Sequence, residues 1–143
     1  MFIDLNPSVS VAPQIAPGDV AAARAAGYTL IINNRPDGEA PDQPTAASIE
    51  TAAADAGIAY AFIPMVGGGG LTPAMIDAAR NALDSAAGRT LMFCRSGTRS
   101  TMLWALAEAQ AGKDPASLAA DAAAAGYDLS PVMGAMRQLA ANR

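Results

Sequence analysis

The sequence predicts an α/β fold, a three-layer arrangement with a mainly parallel central sheet of four to five strands flanked by helices. Three observations lead there. Short apolar runs with branched residues alternate with longer alanine-rich stretches, the pattern of buried parallel strands joined by crossover helices. The helical stretches close on glycine, as in AAGYT, DAGIA and AAGYD, and the next element follows at once. The length, 143 residues, suits one domain over 1–143 with a real core.

Each element has a local reason. Ser8 to Val11 alternates and reads as an edge strand; Pro17 to Ala26 reads as a helix closed by Gly27. Tyr28 to Asn33 (YTLIIN) has the length and branching of a buried parallel strand. The turn-rich NRPDGEAPDQP, Asn34 to Pro44, leads into a helix over Thr45 to Ala56, closed by Gly57. Ile58 to Met65 reads as the next strand and Gly67 to Gly70 as a flexible lip. Thr72 then caps a helix, with Pro73 in its first turn, running to about Ala87. Thr90 to Phe93 is the last strand and feeds a helix over Ser100 to Ala111. Pro115 to Arg143 holds two more helices, separated by Gly126 and Pro131.

Composition narrows the chemistry. Hydrophobic residues make up 52%, but much of this is alanine, which favours helix and buries little surface. The net charge is −4 and there is a single lysine, so neither nucleic acid nor an anionic membrane is an expected partner. No stretch reaches the length of a membrane span, and the acidic start lacks a signal peptide's basic region, which predicts a cytoplasmic protein. One cysteine excludes an internal disulfide and a Cys-x-x-Cys pair; no histidine excludes Ser-His-Asp and Cys-His machinery and histidine metal sites. No cofactor is expected. Catalysis has to come from thiol, arginine, hydroxyl, carboxylate and backbone groups.

That single cysteine, Cys94, stands in LMFCRSGTRSTMLWAL between a strand and a helix. Ligands of α/β sheets gather beyond the carboxyl ends of the strands, and the loop Arg95, Ser96, Gly97, Thr98, with Ser100 just beyond, would wrap N–H groups and hydroxyls around the sulfur at the positive end of the helix. A thiol in such a field is expected to ionise without a histidine. Arg99 closes the loop and is the better candidate to grip an oxyanion through its planar fork, with Arg95 pointing outward. A merely structural thiol would not need so polar a run after it. Asn33, Asn34 and Arg35 could add donors, and Asp37, Glu39 and Asp42 are candidate acids, although turn-loop residues more often serve the turn itself. Met102, Leu103, Trp104 and Leu106 form the core face of the following helix.

Four strings, INNRPDGE (Ile32 to Glu39), IPMVGGGGLTP (Ile63 to Pro73), FCRSGTRS (Phe93 to Ser100) and AAGYDLS (Ala124 to Ser130), resemble the bacterial beta-lactamase-hydrolase-like, phosphatase-like domain family over nearly the whole chain. The resemblance implies a cysteine-phosphatase-like fold, Cys94 as nucleophile, and Arg95 to Arg99 as its anion-binding loop. Many members are described as sulfurtransferases, and the domain also occurs fused to a persulfide dioxygenase, which is thereby an implied partner. Cysteine phosphatases have a loop one residue longer than the four residues between Cys94 and Arg99, a histidine where Phe93 stands, and an aspartate where the glycine run stands. These departures favour a rhodanese-like sulfurtransferase that carries a Cys94 persulfide from a small anionic sulfur donor to an external thiol or cyanide. A cysteine phosphatase acting on a phosphoester is the alternative, and a noncatalytic anion-binding module the third reading.

Overall fold

The computed structural model describes residues 1–66 and 71–142; the expected glycine lip, Gly67 to Gly70, lies outside the described residues. One five-stranded sheet holds the strands β1 (Ile3–Asp4), β2 (Val9–Ala12), β3 (Tyr28–Asn33), β4 (Ala59–Phe62) and β5 (Arg89–Phe93), in the order β1-β2-β5-β3-β4. All neighbours are parallel except β1 and β2. The expected edge strand is therefore interior. The two-residue β1, too short to carry a periodicity, covers it through Ile3↔Val11 and Asp4↔Ser10.

The strand residues alternate between two layers, as the pleat requires. Ile31, Leu91 and Phe93 face one cluster with Val20, Ala23, Ile49 and Ala53, contributed by α1 (Asp19–Ala25) and α2 (Ala46–Ala56). Leu30, Ile32 and Met92 face the other cluster, beneath α3 (Pro73–Ser85), α4 (Thr98–Gln110), α5 (Pro115–Ala124) and α6 (Met133–Ala141). A short 3-10 turn, Ser130–Val132, leads into α6. Thr45 and Thr72 cap α2 and α3 by accepting the N–H groups of Ser48 and Met75.

Helix α4 lies at the centre of the second layer. Leu103, Trp104, Ala105, Leu106, Ala107 and Ala109 are all buried on it, and α3, α5 and α6 pack around it. Its alanines explain why: a helix enclosed on all sides needs small residues where neighbouring backbones approach closely. This helix starts at Thr98, inside the polar loop and two residues earlier than expected.

The register places the carboxyl ends of the strands together. Ala12 and Asn33 both pair with Phe93, and Asn33 pairs also with Phe62. Gln14, Asn34, Arg35 and Cys94 therefore emerge at one rim. The strand expected over Ile58 to Met65 ends at Phe62: Ile63 N–H still donates to the Asn33 carbonyl at 2.9 Å, but Met65 N–H donates to that of Asn34 at 2.8 Å, one residue short of the ladder's register.

Close packing around α4 makes overpacking costly. Ala105→Leu is expected to lower the unfolding free energy by about 1–3 kcal/mol, whereas Ala47→Leu, on the exposed side of α2, should stay within roughly 0.5 kcal/mol of the parent. Urea denaturation of the two variants checks this.

Candidate active site

Cys94 leaves β5 fully buried, and the loop after it is fastened at both ends. At its start, Cys94 N–H donates to the Ala12 carbonyl at 3.4 Å and Gln14 N–H donates to that of Arg95 at 3.3 Å. At its end, Gly97 caps α4 in the left-handed region, φ 94°, a conformation open to glycine. That turn aims the Gly97 N–H at the Cys94 Sγ, 3.1 Å away. The N–H groups of Ser96, Arg99 and Ser100 have no acceptor among the described residues, which leaves free donors in the loop after Cys94 and in the first turn of a 13-residue helix, at its positive end. Arg95 and Ser96 are exposed. Ser96 Oγ donates to Thr98 Oγ1 at 3.0 Å, which stiffens the outer lip.

Arg95 is exposed as expected, but Arg99 is placed differently from the sequence expectation. Arg99 does not hold its fork open for an oxyanion. Its Nη1 and Nη2 donate to Glu39 Oε2 and Oε1, both at 2.8 Å, and Nη1 also donates to the Met65 carbonyl at 2.5 Å. Arg35, buried, donates from Nε to the same carboxylate at 2.9 Å and from Nη1 to Gln14 Oε1 at 3.1 Å. Glu39 is thus a hub between two guanidiniums. Its carboxyl is lowered to about 2, first by the Arg99 hydrogen bond, against desolvation, with Arg35 assisting. Arg99 is raised in turn, chiefly by Glu39, and the charge of Cys94 adds to the shift.

The accessory residues take structural work. Asn34 accepts from Ser100 Oγ at 2.8 Å and donates to the Ile63 carbonyl at 2.9 Å, which staples β3, the segment after β4, and α4 together. Asn33 donates to Tyr60 Oη and accepts the Arg35 N–H. Asp37 accepts the Ala46 N–H at 2.7 Å, at the start of α2, and Asp42 is exposed. So the candidate donors and acids of that loop turn away from the sulfur. Asn34 and Arg35 support the site through Ser100 and Glu39, and Asp37 caps a helix.

Sequence reasoning missed Gln14 and Tyr127. Tyr127, between α5 and α6, donates from its hydroxyl to the Ser96 carbonyl at 3.0 Å. The hydroxyl sits so close to the loop that a Cβ on Gly97 would lie 2.3 Å from it. Desolvation raises its pKa, and the charge of Cys94 raises it further, so at neutral pH it is a phenol and a donor. AAGYDLS contains this tyrosine, but nothing in its spacing points to a loop 31 residues upstream.

Two expectations follow from this geometry. Gly97→Ala is strained in φ and collides with Tyr127, so it should lose on the order of a hundredfold of Cys94 turnover; Tyr127→Ala in the same chain should recover part of that loss, because the collision goes while the strain stays. Initial rates of the three proteins check it. Glu39, with a folded pKa below its ordinary 4.5, contributes stability that is fully present above pH 4.5 and lost as the pH falls towards 2. The shift corresponds to about 3 kcal/mol, and solvent screening at this partly exposed position reduces it to roughly 1–2 kcal/mol. Glu39→Gln should flatten that acid limb in urea midpoints measured across the same window.

Comparison with known proteins gives a consistent picture. The model of the beta-lactamase hydrolase-like protein, phosphatase-like domain, matches residues 2–112. A beta-lactamase hydrolase-like protein of Xylella fastidiosa is 38% identical over 112 residues, which is 78% of this chain and 26% of that protein's length. The chain thus spans about a quarter of the curated relatives it matches. Among solved structures, a candidate phosphatase from Neisseria meningitidis superposes with a TM-score of 0.81 at 26% identity, covering 96% of both chains. Tk-PTP in its active form superposes at 0.74 and 11% identity, covering 99% of this chain and 97% of that one, a likeness of fold alone.

Proposed function

This chain belongs to the family of phosphatase-like domains of beta-lactamase hydrolase-like proteins, and from that premise we propose that it is a sulfurtransferase working through a persulfide on Cys94. Membership and fold support an enzyme of the phosphatase-like family with cysteine-based catalysis. The choice of sulfur rests on the state of the carboxylates. Glu39 is held as an anion by two arginines, and Asp37 is spent on the Ala46 N–H. The glycine run supplies no acid. An alkoxide leaves a phosphoester poorly unless a placed acid protonates it, whereas sulfite leaves thiosulfate unprotonated.

The Cys94 thiolate attacks the outer sulfur of thiosulfate or a low-molecular-weight persulfide. The Gly97 N–H steadies the attacking sulfur, and the Ser96, Arg99 and Ser100 amides are the donors for the oxyanion, supported by the positive charge of Arg99. The bond between the outer and inner donor sulfurs breaks and its electron pair departs with sulfite or thiolate. With one cysteine in the chain, the acceptor that takes the sulfur from Cys94 is external to it, a thiol or cyanide. A persulfide dioxygenase acting on the product would be a natural partner.

A second reading is a cysteine phosphatase with a phosphocysteine intermediate on the same thiolate. The family's phosphatase-like description and the likeness to a structure described as a phosphatase support it, and it fits aryl phosphates, whose leaving groups need no acid.

Mass spectrometry of the Cys94 peptide after incubation with thiosulfate or with an aryl phosphate separates the two. One added sulfur atom from thiosulfate is expected. A phosphoryl adduct together with inertness towards thiosulfate would reverse the order. Arg99→Lys, which loses the fork to Glu39, should slow sulfur loading by on the order of a hundredfold, well beyond Arg95→Lys.

A further inference from the structure

Beside the loop lies a cavity of about 550 Å³, within the roughly 300–1,000 Å³ range of small-molecule sites. One side is a single row of α4: Thr98, Met102 and Leu106 stand at successive intervals of four residues, so they share a face. Ile76 and Val132 are among the apolar residues that line the rest. Thr98 and Arg99 are the only polar residues among the described residues that line it, and both belong to the first turn of α4, where the anion donors are. An apolar wall thus runs continuously into an anion site. Thiosulfate has no group to place along it.

We propose that the sulfur donor is amphiphilic, with an anionic sulfane-sulfur head on the Cys94 loop and an alkyl or aryl body along the row Thr98, Met102 and Leu106. The assignment rests on the sulfurtransferase reading of the same loop. An alkyl or aryl thiosulfonate is the simplest member of the class. The Cys94 thiolate attacks its terminal sulfur, the new Sγ–S bond forms, the bond from that sulfur to the sulfonyl sulfur breaks, and the electron pair leaves with a sulfinate. Charge and atoms balance without an external oxidant or reductant. A second charged group on the body would be desolvated against the wall and rejected.

Inert alkanesulfonates, which carry the head but no transferable sulfur, test the cavity apart from the chemistry. Protection of Cys94 from iodoacetamide by methane-, butane- and octanesulfonate should strengthen along the series, by up to about fourfold per buried methylene. Ala135→Trp, which fills the cavity from an exposed position on α6, and Met102→Gln, which makes the row polar, should each flatten the series. In the sulfur-loading assay both should lower the preference for benzenethiosulfonate over thiosulfate. A flat series in the parent protein overturns the proposal without reliance on either variant, and a steep series that survives both substitutions overturns the location. A steep series that both substitutions flatten, with no sulfur loaded from thiosulfate or thiosulfonate, removes the sulfurtransferase reading and the donor class while keeping the cavity as the seat of an anion's apolar body.

Discussion

The clamp of Glu39 between Arg35 and Arg99 is the interaction on which the site depends. It joins a turn after β3 to the first turn of α4, across 60 residues of sequence. Through Gln14 on Arg35 it reaches the end of β2, and through Met65 on Arg99 it reaches the segment after β4. Three parallel strands thus deliver their following segments to one arginine pair, and the Cys94 loop is closed from outside itself. Two positive charges meet one negative charge there, so the cluster keeps a net positive field beside Cys94 while leaving each guanidinium paired. That resolves a conflict set by burial, since a charge in this position needs a partner and an anion site needs a surplus.

What was legible in the sequence follows the range of the interactions that decide it. The strand Tyr28–Asn33 and the helix ending at Ala56 are set by their own apolar pattern and by a closing glycine, and both lie where the pattern puts them. The interior position of β2 depends on β1, a strand of two residues with no pattern to detect. The end of β4 is decided by tertiary bonds: Ile63 N–H still reaches the Asn33 carbonyl, but Met65 N–H bonds to that of Asn34, out of the ladder's register. In the site, Cys94, Gly97 and the start of α4 lie next to one another in sequence, so their geometry is local. Glu39, Gln14 and Tyr127 are brought in by tertiary contact, and the role of Arg99 changes with them: planar geometry and charge marked it as a fork for anions, and only the fold shows which anion it holds.

The C-terminal layer enlarges this picture. Residues beyond 112 lie outside the matched family segment, yet Tyr127 secures the carbonyl of Ser96, and Val132 and Ala135 wall the cavity beside Arg99. The Cys94 loop and the cavity walls beside it therefore come from different parts of the chain. Variation in the last helices can reshape that cavity without touching the residues that define the loop.

The enclosure of α4 carries a kinetic implication. A helix buried along most of its length, with alanines admitting close neighbours, has backbone amides that exchange with solvent only when the whole core opens. The first-turn amides lack that protection, having no intrahelical acceptor, but they are carried on this packed body. The entropy of arranging them is lost once, when the protein folds, and not again with each molecule bound, so the site is ready before its ligand arrives and its rate is governed by entry, chemistry and departure.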